Sequence, residues 1–175
     1  MEVELVSTAE DEKAALDWLA VDFSPPLAGH VLGEIYPLEV LPGESTQFAY
    51  YLRPFQTQTG GFDRVTVEAS TALKFVAAAI DGEEIETQVE GADSGVRVTF
   101  SRAVRSDQLV ELRFESSVFV QSTRFDVFLG DSRQGDAIRQ RVDPGDASDA
   151  VESSSNVVSL PVSRDLFANV ALSAD

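Results

Sequence analysis

The 175-residue chain contains no cysteine, one histidine (His30), one tryptophan (Trp18) and one methionine (Met1). Without cysteine there are no disulfides, no thiol chemistry and no zinc or iron–sulfur site that needs thiolate. A single imidazole removes multi-histidine metal clusters. No apolar run approaches the length needed to span a bilayer as a helix. Positive charge is scarce: 13 Lys plus Arg stand against 30 Asp plus Glu, a formal net charge of −17. That excess repels nucleic acid and anionic membrane surfaces. G-x-S-x-G, Walker and dinucleotide glycine patterns are also missing. His30 therefore has no presented nucleophile to serve, and with thirty carboxylates a pair at glycosidase separation arises by accident. The reading is of a non-enzymatic protein.

The cationic residues are themselves biased, with only Lys13 and Lys74 beside eleven arginines. An acid-rich, lysine-poor surface holds water and hydrated cations and suits a protein dissolved in molar salt, where the Debye length falls to about 3 Å and carboxylate repulsion is screened. A salt-adapted source is expected.

Residues 7–20 read as the one helix. Ser7 and Glu10 make a capping box, Glu10, Asp11 and Glu12 favour the positive end of the dipole, and Ala14, Ala15, Trp18 and Leu19 share a face before Pro25 and Pro26. Trp18 reads as the anchor of that helix. From about residue 30 the apolar period becomes two. Val65, Val67 and Ala69, then Val96, Val98 and Phe100, then Val110, Leu112 and Phe114, then Phe125, Val127 and Leu129 each alternate with polar neighbours. Asp81-Gly82 predicts a hairpin between 74–80 and 83–89. Ser116-Ser117 predicts a bulge, and Pro161 an edge strand. The fold expected is mainly β, an antiparallel sandwich of about nine strands (residues 30–175) with a short N-terminal helical extension (residues 1–29) packed on it. Met1 is followed by Glu2, Val3 and Glu4 with no signal-peptide pattern, and Phe167 to Leu172 still alternate near the other end; an excised module of a longer protein is the simplest account.

Leu41-Pro42-Gly43-Glu44-Ser45-Thr46-Gln47-Phe48 resembles the turn-and-strand entry of bacterial immunoglobulin-like modules of exported multidomain proteins. The antibody hallmarks, a cysteine pair and a strand tryptophan, are absent. The resemblance implies an immunoglobulin-like β-sandwich and a non-catalytic spacer, adhesion or carbohydrate-facing role on an exported or cell-surface chain. Its partners would be neighbouring domains of the same chain, a surface protein or a glycan, and the isolated domain would be a monomer.

Two long segments lack periodicity, 54–62 and 130–149. A sugar site needs an aromatic platform flanked by amides, and Tyr51, Phe55, Gln56 and Gln58 supply one beside the first loop as an alternative reading. In the second, Asp143, Asp146 and Asp149, with Asp131, Asp136 and Glu152 nearby, offer hard oxygen donors suited to Ca²⁺, although the spacing matches no EF-hand and, in a chain this acidic, solvated loop carboxylates are the favoured reading. No other cofactor is implied. Phe119 and Phe128 fall out of parity with their strands, which points to a module–module contact.

Overall fold

The computed structural model describes residues 25–161, apart from 93, 94, 136, 137, 150 and 152. The expected helix at 7–20, Trp18, Asp136, Glu152 and the 167–172 alternation lie outside the described residues. In chain order the strands are β1 (Ala28–Tyr36), β2 (Ser45–Thr57), β3 (Phe62–Ala69), β4 (Lys74–Ile80), β5 (Glu83–Glu84) and β6 (Thr87–Ala92). They continue with β7 (Gly95–Val104), β8 (Val110–Ser117), β9 (Ser122–Gly130), β10 (Gln140–Arg141), β11 (Asp143–Pro144) and β12 (Val157–Ser159). One sheet has the order β11-β1-β2-β8-β4-β5; the other runs β10-β9-β3-β7-β6, with β12 beside β9. Apart from the parallel β1/β11 contact, the strand pairs are antiparallel. The expected mainly β sandwich is the architecture of the described residues.

Alternation decides which side chains enter the space between the sheets, because successive residues of a strand face opposite ways. From β2 the inner set is Phe48, Tyr50, Leu52 and Pro54, and from β8 it is Val110, Leu112 and Phe114. The facing sheet supplies Val65 and Val67, Val96, Val98 and Phe100, and Phe125, Val127 and Leu129. Phe48 and Phe114 meet Phe125 across the layers, with ring centroids 5.5 and 5.6 Å from it. Each buried ring contributes about 1.5–3 kcal/mol. Tyr50 lies so close to Gly33 that any Cβ there would collide with its ring and with Val142, so β1 can cross the core at that point only as glycine.

Three local expectations need correction. Asp81 and Gly82 do turn the chain, with φ of 55° and 82° as a type I′ turn requires, but the returning arm is only Glu83–Glu84, after which the chain crosses to the other sheet as β6. The bulge is not at Ser116-Ser117, where β8 pairs regularly with Thr46 and Ser45 of β2. It lies across the ladder in β4, where the register slips between Phe75 and Ala77 and leaves Val76 exposed. Ser116 is buried and its hydroxyl donates to Ala72 O at 2.8 Å, so a polar residue stays in a regular strand. Finally, Pro161 follows β12 rather than lying in it, and Ser159 is bridged on both sides, by Ser122 and Glu39, so that stretch is not a free edge.

Candidate functional site

The structure distributes the four expected ligand residues rather than gathering them around one point. Tyr51 projects from the outer face of β2 between its cross-strand partners Glu34 and Glu111. Burial, then those two carboxylates, push its phenol pKa up. Phe55 lies four residues along the same strand, roughly 13 Å away at the β rise. It stacks on His30 with centroids 4.5 Å apart and planes 14° apart, so the lone imidazole is engaged with a ring. Gln56 is exposed at φ 54°. The Gln58 amide nitrogen donates to Pro25 O at 3.1 Å and Pro26 O at 2.8 Å, and the long loop expected at 54–62 is in fact a short connection at 58–61, because the pairing of β2 with β1 carries the strand on to Thr57.

Asp143, Asp146 and Asp149 are exposed. Among the described residues no three His, Cys, Asp or Glu side chains stand close enough to share a metal ion. Asp131 serves another purpose: it caps the 3₁₀ turn Ser132–Gln134 and receives Arg133 Nε at 2.8 Å and Nη2 at 2.9 Å, Gln134 Nε2 at 2.9 Å and the Arg133 backbone N–H at 3.0 Å. Those donors, the guanidinium foremost, hold its carboxyl down at about 2 against an ordinary 3.8.

The acidic segment has a structural effect that its composition does not announce. After β11 it runs beside β1 and is fastened there: Gly145 N–H donates to Gly33 O (3.0 Å), Ile35 N–H to Ser155 O (2.8 Å) and the Ser153 hydroxyl to Ile35 O (3.0 Å). It covers Glu34, which faces outward from β1 yet has 0% exposure. Glu34 Oε1 accepts from Ser148 N–H at 2.8 Å, while Oε2 has no hydrogen-bond partner among the described residues. Burial raises its pKa above the ordinary 4.5; Asp146 adds to the rise, and the backbone N–H groups of Ser148 and Ala147 oppose it. Nothing in the alternation of β1 marks Glu34 as buried, because its cover comes from more than a hundred residues along the chain.

The outer face of the second sheet is where arginine collects. Across one row stand Arg141, Phe128, Thr66, Arg97 and Glu90 on five neighbouring strands. Arg139 lies over the Phe128 ring at 3.5 Å from its centroid and pairs with Glu68 at 2.6 Å. Arg141 and Arg124 both reach Asp126, at 2.5 and 3.1 Å. Arg64, Arg97 and Arg139 with Thr66 and Glu68 line a depression of about 210 Å³.

A third surface is apolar. Tyr36, Leu41, Phe119 and Val120 are 52%, 53%, 73% and 52% exposed. All four belong to one pole of the sandwich, where the β1–β2 and β8–β9 connections meet: Gly43 N–H donates to Val118 O, and Leu160 N–H to Gln121 O. Pro161 is at this pole, whereas Pro25 and Pro26 are at the opposite one beside Gln58. The described chain enters at one end of the sandwich and leaves at the other.

No family model matches the chain, and no curated protein matches it in sequence. Among solved structures, the N-terminal domain of an adhesin from Streptococcus gordonii is similar in fold, with a TM-score of 0.50 at 9% identity over 77% of this chain and 33% of that one. The pilus backbone RrgB of Streptococcus pneumoniae gives 0.44 at 9% identity over 58% and 31%. The major pilin SpaD of Corynebacterium diphtheriae gives 0.45 at 11% identity over 65% and 33%. This chain spans about a third of each of these structures. The likeness is one of fold.

Proposed function

We propose that the chain is a non-catalytic structural or interaction module of an exported, salt-adapted bacterial surface protein, and that its apolar pole packs against a neighbouring module of the same polypeptide. The observation that carries this reading is the pole itself. Phe119 is 73% exposed at the same pole as three other exposed apolar side chains, and large apolar side chains left open at one end of a sandwich suit a contact surface. The fold shared with a domain of a surface adhesin supports export. The net charge of −17 with two lysines supports salt adaptation.

Replacing Phe119 by photoreactive benzoylphenylalanine in the natural gene product, with the same replacement at Val76 as a control on exposed β4, tests the contact. Adducts from position 119 to residues of the same polypeptide beyond the 175 of this chain are expected, with few from position 76, and adducts confined to residues 1–24 or 162–175 would overturn the contact between modules. Adducts confined to separate proteins, or equal yields from both positions, would overturn it. Protease treatment of intact cells tests export: cleavage of the protein is expected, and full protection would contradict it.

A further inference from the structure

A second surface, distinct from the apolar pole, is the free edge of the second sheet. β6 pairs with β7 on one side and, among the described residues, with no strand on the other. Exposed sheet edges are normally blunted by a lysine, a proline or a bulge. On the first sheet β4, which β5 covers only at Ala79 and Ile80, has both a bulge and Lys74. β6 reads Thr87-Gln88-Val89-Glu90-Gly91-Ala92, has none of these devices and pairs with β7 without a slip of register.

The phase of the β6/β7 ladder fixes which backbone groups are free. Ser101 N–H donates to Glu86 O at 3.0 Å. Hydrogen-bonded pairs recur at every second residue along the antiparallel register, so Gln88 bonds with Thr99 and Glu90 with Arg97. The N–H and C=O groups of Thr87, Val89 and Gly91 therefore point out of the sheet edge. Val89 lies opposite Val98 on the inner face, yet its side chain is 43% exposed at this open edge.

The strand is complementary to itself in one register. Antiparallel pairing of two copies about Val89 sets Val89 against its own counterpart, Thr87 against Gly91 of the second copy and Gln88 against Glu90. The outward groups of Thr87, Val89 and Gly91 then meet in phase and exchange hydrogen bonds. Both valines meet on the inner face, and each Gln88 amide lies beside a Glu90 carboxylate whose charge Arg97 shares at 3.4 Å. Sliding the pairing by two residues puts Glu90 opposite Glu90 in one direction and opposite Glu86 in the other, and like charges directly opposite are destabilising. A slide of one residue turns the side chains to the wrong faces.

From this fit we infer that two copies of the chain join edge to edge through β6, extending the second sheet across a two-fold axis at Val89. One short strand from each copy buries less than the roughly 1,200–2,000 Å² of a stable interface, so the chain is a monomer when dilute and pairs where copies are crowded. The net charge of −17, with exposed Glu83, Glu84 and Glu86 on the approach to β6, opposes pairing in dilute buffer, and molar KCl screens it.

Sedimentation velocity of the 175-residue chain in molar KCl, from micromolar to millimolar concentration, tests the inference. A shift from monomer towards dimer is expected as concentration rises. Val89→Pro removes an outward N–H and no bond to β7, so it is expected to keep a folded thermal melt and to stay monomeric throughout. Single cysteines read the register, because the chain has none of its own. Opposed residues of a hydrogen-bonded pair have Cα atoms about 5.5 Å apart, within disulfide reach. Val89→Cys is expected to give a disulfide-linked dimer on mild oxidation. Thr87→Cys alone, about 14 Å from its counterpart, is not. A mixture of Thr87→Cys and Gly91→Cys chains is expected to do so, since a Cβ at Gly91 meets nothing within 4 Å. A monomer at every concentration, including one whose β6 is paired by residues 1–24 or 162–175 of its own chain, would overturn the inference. So would equal disulfide yields from Val89→Cys and Thr87→Cys, or a dimer that Val89→Pro leaves intact.

Discussion

Glu34 and Asp131 are two carboxylates removed from water, at 0% and 2% exposure, and they are pulled in opposite directions. Glu34 on β1 lies under the segment following β11, where it meets backbone N–H groups and the nearby Asp146 but no cation within salt-bridge distance among the described residues; its pKa rises. Asp131 follows β9 and is wrapped by the Arg133 guanidinium, the Gln134 amide and a backbone N–H; its pKa falls to about 2. Burial costs both groups solvation, and the partners decide the sign. The same contrast separates the two sheets. One outer edge is covered by a distant stretch of chain, whereas the other face keeps its charges paired in the open, where each pair is worth about 0–1 kcal/mol.

The largest expected effect breaks the well-partnered side. Asp131→Ala removes the cap of the 132–134 turn and leaves Arg133 without its carboxylate, and a loss of about 2 kcal/mol in urea unfolding is expected. The reverse sign is expected at Glu34. Glu34→Gln keeps an acceptor for Ser148 N–H and removes the buried charge, so a gain of about 1 kcal/mol at neutral pH is expected. The two groups also act in different pH windows. The raised pKa of Glu34 contributes stability that is fully present below 4.5 and is lost as pH rises through the raised value. The lowered pKa of Asp131 contributes stability that is present above 3.8 and is lost as pH falls towards about 2. Stability measured from neutral pH downward should therefore show a rise attributable to Glu34, absent in Glu34→Gln, before the acid loss that Asp131→Ala lacks. Carboxyl NMR titration of the two side chains reads both shifts directly. The smallest effect on this contrast comes from salt. Molar KCl screens repulsion among exposed acids and should raise the melting temperature by about 5 °C, leaving the order of the two titrations unchanged; a melting temperature indifferent to salt would remove the salt-adaptation reading.

Much of the sandwich is legible in the chain because one dry face forces a period of two. Val65 and Val67, Val96 to Phe100, Val110 to Phe114 and Phe125 to Leu129 all turn inward as that period requires. What alternation does not encode is cover supplied from far along the sequence. Glu34 falls on the outward parity of β1, and Ser116 reads as a break in its strand; each is buried by partners that only the folded chain brings near. The Asp81-Gly82 turn is legible from its dipeptide, but the crossing after Glu84 depends on which sheet has room for another strand. Among the site residues, Tyr51 and Phe55 do share a face, yet Gln58 is occupied by Pro25 and Pro26, contacts that no local pattern announces. Parity did single out Phe119 and Phe128, with different outcomes. Phe119 is open to solvent, while the Phe128 ring carries a guanidinium. The arginine depression is hidden in sequence because Arg64, Arg97 and Arg139 come from separate strands and a loop.

The absence of cysteine allows a direct test of the module contact. Phe119→Cys and, separately, Ser101→Cys place single thiols on exposed positions of this chain, and maleimide labelling of each can be followed in the intact natural protein by mass spectrometry of the peptide that carries it. The account predicts that the thiol at position 119 is protected and the one at 101 reacts fully. Equal, rapid labelling at both positions would show the apolar pole open to solvent in the assembled protein and would contradict it.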